Sequence, residues 1–450
     1  MVSRREPELV RPARPTPLET KRLSDIDDQE SLRFHFPLIM FYRNNPLMEG
    51  VDPVAVIREA LAKALVYYYP LAGRLVEGDN RKLMVECNGE GVLFLEASAD
   101  VRLDQLGDTI LPPCPYWEDL LYNVPGSGGI VGCPLMLVQV TRLKCGGFVL
   151  ATRLNHTIGD AGGLAKFLNA VAEIAHGAST PSDPPVWQRD LLNARNPPQI
   201  TCTHNEYTEL ADNDQSGIFN NKNTIIKSFF FGPEELKVMR KHLPPHLGSS
   251  HFDLVTAAIW RSRTTALRPA PDDFVFLTFL FNVRGKAGLG LSSGYYGNAV
   301  ACPAAVAKAK TLCSSPLGYA VQLLQQAKAK VNVEYVRSVA DYLVVRRRPP
   351  FVKKWNYVVS DISRLGLREL DLGWGKPVYG GTVGISGSPI YPTSLCARCK
   401  NWKGEEGLLV PISLPESAME RFQKELSKLL TQEPVDGSND GDPIVVTSRL

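Results

Sequence analysis

His156 and Asp160 stand four residues apart in the segment Asn155-His-Thr-Ile-Gly-Asp160, and residues of these types could move a proton. A histidine is suited to removing a proton from an alcohol near neutral pH, because its ordinary pKa is about 6.5. Among the seven histidines, His156 alone has an aspartate four residues further on. The alternative is a hydrogen-bonded turn histidine followed by an aspartate that caps the next helix. Spacing alone leaves both interpretations open.

A second candidate is the glycine-rich turn Asp371-Leu-Gly-Trp-Gly375, which holds an aromatic ring. Gly373 and Gly375 flank Trp374 and permit unusual backbone dihedrals and the close approach of a partner. The same pattern also fits a loop tryptophan that closes a hydrophobic core. Both interpretations stay open here as well.

The elements around His156 predict where its ring must lie. Two apolar runs, Leu135 to Leu143 and Phe148 to Leu154, are joined by a short glycine-containing link in the manner of a β-hairpin. After Asp160 the chain takes helical spacing, with an apolar stripe formed by Leu164, Phe167, Leu168, Val171 and Ile174. His156 is therefore expected at a strand-to-helix corner.

Helices and strands alternate along the rest of the chain, which favours the α/β class. Asp52 and Pro53 mark the start of an early helix as its N-cap and first residue. We further expect helices from Phe252 to Leu267, Pro316 to about Lys330 and Pro415 to Leu430, and a strand from Phe274 to Asn282.

Pro, Asn, Asp and Thr dominate a long stretch in the middle of the chain, without a sustained period. Such a composition is expected of a connection between two compact units. We therefore divide the chain into an N-terminal domain (1–182), a crossover loop (183–220), a C-terminal domain (221–430) and a mobile tail (431–450).

Composition narrows the function classes. The 450 residues, 44% of them hydrophobic, are enough for two or three cores of about 150 residues each. With 50 basic and 47 acidic residues the net charge is +3, which argues against a dedicated nucleic-acid binder. The sequence contains neither a run of about 20 apolar residues nor a secretory leader, so we expect a soluble, intracellular protein without a membrane anchor.

Metal and nucleotide motifs are weak in this chain. Cys396 and Cys399 form a CxxC, but a zinc ribbon needs a second such pair. His242 and His246 are separated by two prolines that forbid the helix needed to aim both rings at one metal. Neither GxGxxG nor GxxxxGK[ST] occurs. We predict no metal site and no permanently bound cofactor.

Taken in order, six motifs resemble the plant BAHD acyltransferases, acyl-CoA-dependent enzymes that acylate alcohols or amines. They are Tyr69-Pro-Leu-Ala-Gly-Arg74, the His156 motif, Phe252 to Arg261, Asn282-Val-Arg284, Tyr296-Gly-Asn298 and Asp371-Leu-Gly-Trp-Gly375 with the residues up to Gly381. The resemblance runs from about Pro17 to Phe422. The segments Asn44 to Gly50, Val359 to Asp361 and Gly373 to Gly381 are similar to the branch that includes benzoyl-CoA:benzyl alcohol benzoyltransferases.

The resemblance implies a two-domain chloramphenicol acetyltransferase-like α/β fold, with mixed β-sheets flanked by helices and an active-site channel at the domain interface. It implies that a segment near 376–395 joins the N-terminal domain, and that the protein is a monomer. It also implies an O-acyltransferase with acyl-CoA, most specifically benzoyl-CoA, as co-substrate and benzyl alcohol as acceptor, giving benzyl benzoate. The reaction would need no metal and no acyl-enzyme.

The resemblance also assigns roles to the candidate residues. His156 would be the general base, Asp160 would support it structurally by pairing with Arg284, and Asp371, Gly373 and Gly375 would form a structural turn. Ser360 or Trp374 would donate a hydrogen bond to the oxyanion, with Ser360 preferred, and Ser250 and Asn298 would contact coenzyme A.

Two positions depart from related sequences. Leu372 stands where the family's turn usually has phenylalanine, and Ile362 stands where relatives that transfer hydroxycinnamoyl groups often have tryptophan. The first change keeps an apolar plug of smaller volume. The second weakens a shikimate or quinate acceptor and leaves room for a small apolar alcohol.

Alternatives remain within and outside the family. A relative could use another acyl-CoA, another alcohol or an amine, and a non-catalytic acyl-CoA-binding protein could retain the fold. The last residues, Ser448-Arg449-Leu450, are a conservative variant of the Ser-Lys-Leu peroxisomal signal. We expect recognition by the peroxisomal import receptor, with a cytoplasmic location as the alternative.

Overall fold

The computed structural model describes residues 2–106, 110–207, 224–351, 354–383, 393–401 and 403–431. The expected tail beyond 431, its terminal tripeptide and the last part of the expected crossover loop lie outside these residues. The strands are β1 (Val2–Arg4), β2 (Glu8–Val10), β3 (Glu19–Arg22), β4 (His35–Tyr42), β5 (Arg74–Glu77), β6 (Leu83–Cys87), β7 (Val92–Ala99), β8 (Met136–Leu143), β9 (Phe148–Asn155), β10 (Thr224–Phe231), β11 (Phe274–Phe279), β12 (Phe281–Asn282), β13 (Val300–Ala301), β14 (Ala304–Lys308), β15 (Asn356–Asp361), β16 (Tyr379–Gly381), β17 (Thr393–Lys400) and β18 (Glu406–Pro415). The helices are α1 (Pro53–Tyr67), α2 (Trp117–Leu120), α3 (Ala161–Ala175), α4 (Pro233–Arg240), α5 (His251–Leu267), α6 (Ala309–Ser314), α7 (Leu317–Ala329), α8 (Val333–Val345) and α9 (Glu416–Leu430).

The first unit is built on a mixed sheet in the order β1-β7-β8-β9-β4-β16, with β2 also paired to β7. β7 and β8 run parallel, and β8, β9 and β4 follow as antiparallel neighbours. Helices α1 and α3 pack together against one face of this sheet, and the predicted apolar stripe of α3 is buried there. The hairpin and both helices predicted from the sequence are confirmed.

The second unit has a mixed sheet in the order β10-β18-β17-β15-β11-β14. Its two parallel pairs are β11 with β15 and β15 with β17. Helices α5, α7 and α9 cover one face, and their buried side chains form a second hydrophobic core with the sheet. Two mixed sheets flanked by helices confirm the α/β class expected from the alternating pattern.

The structure differs from the sequence expectation in one predicted strand and in the helices α2, α4, α6 and α8, which were not predicted. The strand predicted from Phe274 to Asn282 is broken at Leu280, because Phe281 and Asn282 leave the main sheet and pair with β13. Helix α8 was not predicted, although Asn332 caps it by accepting a hydrogen bond from the backbone of Tyr335 at 2.8 Å.

The chain returns from the second unit to the first through residues 365–381. Leu372 and Trp374 are buried in the first unit's core, where the Trp374 ring packs edge-on against Phe148 with 5.2 Å between centroids. Asp371 holds the turn by accepting hydrogen bonds from the backbone of Gly373 and Gly375 at 2.7 and 2.9 Å. β16 then pairs with the edge of β4. The glycine-rich turn therefore has a structural role, because its side chains complete the first unit's core.

A buried ion pair joins the units at the start of α3. Asp160 caps α3 by accepting a hydrogen bond from the backbone of Gly163 at 2.8 Å, and the Arg284 guanidinium binds both its carboxylate oxygens at 2.8 and 2.9 Å. Burial alone would raise the pKa of Asp160, but Arg284 and the backbone N–H of Ala299 hold that pKa below its ordinary value. Asp160 is therefore an anion at neutral pH, shared between both units.

The approach of the two units at this corner requires glycine. A Cβ on Gly163 would lie 2.0 Å from the carbonyl oxygen of Tyr296. The second unit's backbone thus rests directly on the first turn of α3, where a side chain would push it away.

A second charged contact involves one arginine of the run Arg346-Arg347-Arg348. Arg348 lies 2.7 Å from Asp28, whose other oxygen pairs with Arg33 at 3.0 Å. Asp28 is buried in the first unit, and Arg348 follows α8 in the second. Arg348 is therefore part of the contact between the units.

We predict that Asp160→Asn destabilises the protein by about 3–5 kcal/mol, because it leaves the partly buried Arg284 facing a neutral amide. Urea unfolding and the yield of soluble protein measure this effect. Glu59→Gln is the control, because it removes the exposed Glu59–Lys63 pair and should leave the unfolding midpoint unchanged. An Asp160→Asn variant as stable as wild type but inactive would instead give this carboxylate a chemical role.

Candidate active site

An apolar cavity lined by His156 lies between the two units and has a volume of about 620 Å³. A cavity of this size suits a small organic ligand. Both units line it with aromatic and aliphatic side chains: Leu32, Phe34, Phe36 and Leu38 from the first, and Phe279, Leu280, Phe281, Phe351, Val358, Ile362, Leu365 and Leu395 from the chain beyond the crossover.

His156 reaches this cavity from the predicted strand-to-helix corner, directly after β9. Its backbone N–H donates to the carbonyl of Phe34 at 2.8 Å, which ties the corner to the strand next to β9. The rings of Phe34 and Phe36 pack against the imidazole at centroid distances of 5.2 and 4.7 Å. The ring is thus clamped by aromatic side chains that also wall the cavity.

One imidazole nitrogen is engaged by the protein. Nδ1 of His156 lies 3.2 Å from Oδ1 of Asn298. A carboxamide oxygen only accepts hydrogen bonds, so Nδ1 carries the proton in this arrangement and Nε2 has a free lone pair. Nε2 is therefore the nitrogen that can take a proton from a ligand in the cavity.

Burial of the imidazole lowers the pKa of His156 from its ordinary value. The nearby backbone carbonyl, Asp160 and Asn298 act in the opposite direction but do not reverse the shift. The ring is therefore neutral at neutral pH, as a general base must be.

Asn298 does not fit the sequence expectation of coenzyme A contact. The side chain is buried at 2% exposure behind His156, and its Nδ2 donates to the carbonyl of His156 and to Asp27, each at 2.8 Å. The oxygen and the nitrogen of its side-chain amide are both bound by protein groups. Asn298 therefore holds the His156 ring in place.

The two candidate oxyanion donors lie in different places. Ser360, near the end of β15, lines the cavity together with Ile362 just beyond the strand. Trp374 lies in the first unit's core and is not among the residues that line the cavity. The structure therefore favours Ser360 as a hydrogen-bond donor to a bound ligand. Trp374 belongs to the glycine-rich turn that packs in the first unit's core.

Ser250 caps α5 at the mouth of the cavity. Its hydroxyl donates to Asp253 at 2.8 Å and accepts from the backbone of Asp253 at 3.1 Å, a capping box that fixes the helix start. Lys328 pairs with the same Asp253 and lies 4.8 Å above the Phe252 ring. A lysine and a helix N-terminus thus meet at this opening.

A second cleft of about 880 Å³ adjoins the cavity on this side and shares Ser250, Phe252, Asp361 and Arg364 with it. Its positively charged lining residues, grouped here as the basic cleft, are Lys237, Arg240, Arg364 and Arg398. Such a group favours an anionic ligand, although Asp361 and Glu406 also line the cleft.

The CxxC motif does not form a paired thiol site. Cys396 is buried in the core beneath α5, and Cys399 is buried in a separate apolar cluster. Burial raises the pKa of the Cys399 thiol to about 12. Within the described ranges, we find no cluster of three or more His, Cys, Asp or Glu side chains arranged to hold a metal ion, and no helix long and apolar enough to cross a membrane.

Sequence reasoning missed the aromatic clamp and the partner of Asn298. Phe34 directly precedes β4 and Phe36 lies within it, 120 or more positions before His156, so local spacing carries no signal of their contact. Asp27 is separated from Asn298 by 271 positions. The acidic run Asp25-Ile-Asp-Asp28 was a visible signal, because buried carboxylates need partners.

Comparison with known proteins identifies close relatives over nearly the whole chain. The sequence is 56% identical over 440 residues to alcohol acyl transferase 1, allele GSa, of Malus domestica, covering 96% of this chain and 95% of that protein. It is 53% identical over 432 residues to benzyl alcohol O-benzoyltransferase of Petunia hybrida, covering 95% and 94%.

Solved structures confirm the fold expected from the resemblance. Vinorine synthase superposes with a TM-score of 0.73 at 23% identity, covering 95% of this chain and 98% of that one. TRI101 of F. sporotrichioides, complexed with coenzyme A and T-2, superposes with a TM-score of 0.70 at 17% identity, covering 91% and 98%. The model of the family described as "Transferase family" matches residues 1–429, and the chain therefore belongs to this family, the BAHD acyltransferases.

Proposed function

We propose that this protein is an acyl-CoA-dependent O-acyltransferase that transfers a benzoyl group to benzyl alcohol, giving benzyl benzoate and free coenzyme A. The observation that carries this proposal is the imidazole of His156, neutral and hydrogen-bonded at Nδ1, at the wall of an aromatic-lined cavity. Members of the family use acyl-CoA as co-substrate. An alcohol bound in the cavity would meet a base on one side and a thioester on the other.

The reaction follows from this geometry in two steps. Nε2 of His156 removes the hydroxyl proton as the alcohol oxygen attacks the thioester carbonyl, and a tetrahedral intermediate forms. The C–S bond then breaks, and the imidazolium returns its proton to the departing thiolate. The Ser360 hydroxyl is the proposed hydrogen-bond donor to the oxyanion, a contact typically worth about 3 kcal/mol.

The cavity lining supports aromatic substrates. Phe34 and Phe36 pack against His156, and Phe279, Phe281 and Phe351 of the second unit also line the cavity. Aromatic rings pack favourably against one another edge-on or offset, which suits a benzoyl group and a benzyl group together. Ile362 adds a compact apolar surface in place of a bulky tryptophan.

The basic cleft is the proposed site for the phosphates of coenzyme A. It joins the cavity at Ser250 and Phe252, so a long ligand can keep its anionic end in the cleft and extend its thioester toward His156. Ser250 would contribute through the N-terminus of α5, where backbone N–H groups favour anions.

A second candidate within the family uses the same base with a different donor, alcohol or amine. The relatives at 53–56% identity include both alcohol acyl transferases and a benzyl alcohol O-benzoyltransferase, so another alcohol or another acyl group is the main competitor. The competitor outside this class is an acyl-CoA binder without catalysis.

We predict that benzoyl-CoA with benzyl alcohol releases free coenzyme A faster than acetyl-CoA or cinnamoyl-CoA with the same acceptor, because the cavity is lined by aromatic side chains. A thiol reagent measures the release, and mass spectrometry of a mixed alcohol and amine pool identifies the product. Preference for another donor would overturn the benzoyl assignment, and amide products alone would overturn O-acylation.

The role of His156 is tested by a pair of variants. We expect His156→Ala to lower kcat by about 10²–10⁴-fold. His246→Ala, which changes an exposed histidine, should match wild type. If wild type and both variants bind benzoyl-CoA but none of them releases thiol, the protein is an acyl-CoA binder without catalysis.

The pKa of His156 also predicts the acid limb of the pH profile. Because burial lowers this pKa from 6.5, the neutral form of His156 predominates at pH 6.5 and above. We expect the acid limb of kcat/KM to have its midpoint below pH 6.5. Recovery of activity after return to neutral pH is the control for unfolding. An acid limb centred above pH 6.5 would contradict the neutral base.

We also propose a peroxisomal location, with the cytoplasm as the alternative. The support is the terminal Ser448-Arg449-Leu450, a conservative variant of a known import signal. A fluorescent protein fused to the N-terminus should coincide with a peroxisomal marker and become diffuse when the three residues are deleted. Diffuse fluorescence of the full-length fusion would contradict the proposal.

A further inference from the structure

We propose that Asp27 and Arg189 are positioning residues for His156, and that they act through the side-chain amide of Asn298. This inference rests on the proposed function, because it concerns the state in which the base meets its substrate. Neither residue lines the cavity. Their effect would be to fix which imidazole nitrogen is free.

Asp27 lies behind Asn298 and is completely buried. Its Oδ1 accepts two hydrogen bonds from Asn298, one from the backbone N–H at 2.9 Å and one from Nδ2 at 2.8 Å. Its Oδ2 accepts from the hydroxyl and backbone N–H of Ser24 at 2.6 and 3.1 Å. The carboxylate is thus locked in place and presents an acceptor to the Asn298 amide.

This contact decides the orientation of the amide. With Nδ2 toward Asp27 and toward the carbonyl of His156, Oδ1 faces Nδ1 of the imidazole. Turning the amide over would place its oxygen against two acceptors, which a buried site does not tolerate. The orientation set by Asp27 therefore requires a proton on Nδ1 and leaves Nε2 free.

Arg189 holds Asp27 in this state. Its Nη1 donates to both carboxylate oxygens of Asp27 at 2.7 and 2.8 Å, and its Nη2 donates to the carbonyl of Ile158 at 2.8 Å. Burial alone would lower the pKa of Arg189, but Asp27 beside it holds that pKa above the ordinary value. The guanidinium is therefore charged and neutralises the buried carboxylate.

The surroundings of Arg189 are shaped for this side chain. A Cβ on Gly297 would lie 1.9 Å from Nη1 of Arg189. Position 297, directly before Asn298, must therefore be glycine to leave room for the guanidinium. The guanidinium also lies over the rings of Trp187, Tyr295 and Tyr296 at 4.4, 5.4 and 5.3 Å. Arg189 itself lies in the connection between the two units. Hydrogen bonds therefore link Arg189 in this connection to Asp27, Asp27 to Asn298, and Asn298 to His156.

The decisive measurement is the tautomer of His156 by ¹⁵N NMR of histidine-labelled protein, assigned by loss of one signal set in His156→Ala. We expect the wild type to carry its proton on Nδ1. Asp27→Asn and the milder Arg189→Lys should introduce the Nε2–H form. Both should lower kcat by roughly 10²-fold, with KM changed less than about twofold.

Two matched controls separate positioning from stability. Asp28→Asn removes the neighbouring buried carboxylate, which pairs with Arg33 and Arg348. Arg195→Lys changes another arginine of the connection, which pairs with Asp341 and Glu334. Both controls should lower the unfolding midpoint while leaving the His156 tautomer and kcat as in wild type.

A wild-type His156 with its proton on Nε2 would overturn the proposal, and so would unchanged tautomer signals in a folded Arg189→Lys. If Asp27→Asn does not fold, the wild-type spectrum and Arg189→Lys still decide. The NMR measurement needs no turnover, so failure of acyl transfer would count against the proposed function and not against the positioning network.

Discussion

The site depends on one constraint: the imidazole of His156 must stay neutral, with Nε2 free, at the wall of an apolar cavity. The corner that carries it belongs to the first unit, but Asn298 and the partner of Asp160 come from the second. The base thus has its working geometry only when the two units are docked. The contacts that Asn298 and Arg284 make with the first unit therefore belong to the geometry around His156 as well as to the fold.

Charges are buried at this interface in pairs, which explains how the docking is made specific. An unpaired carboxylate at Asp160 would be costly, so it requires Arg284 at a fixed position. Arg348 adds a second ion pair between the units by binding Asp28, which also pairs with Arg33. Residues 365–381 add a covalent element, because they extend from the second unit into the core and sheet edge of the first. Packing and charge pairing therefore select the same arrangement of the units.

Local signals in the sequence were sufficient for much of the fold and for the position of His156. Asp52 and Pro53 start α1 as their types predict, and the switch from strand to helical spacing locates His156. The ion pair between Asp160 and Arg284 followed from family resemblance, since no local pattern joins positions 124 apart. Asn298 was recognised as a site residue but assigned to the coenzyme, because its contacts to His156 and Asp27 depend on how distant segments meet.

The apolar cavity and the polar network behind His156 act on different protonation states of the imidazole. The cavity favours the neutral ring, and the network favours the imidazolium. Burial lowers the pKa of the imidazole, so the ring is neutral before it meets a substrate. The proposed reaction nevertheless converts the imidazole into an imidazolium, a charge that an apolar wall alone would disfavour. The carboxamide oxygen of Asn298 lies at Nδ1 of the ring, and the carboxylate of Asp27 lies behind it at Nδ2 of the same amide. Because Arg189 balances Asp27, the network can stabilise the imidazolium when it forms without protonating the base beforehand.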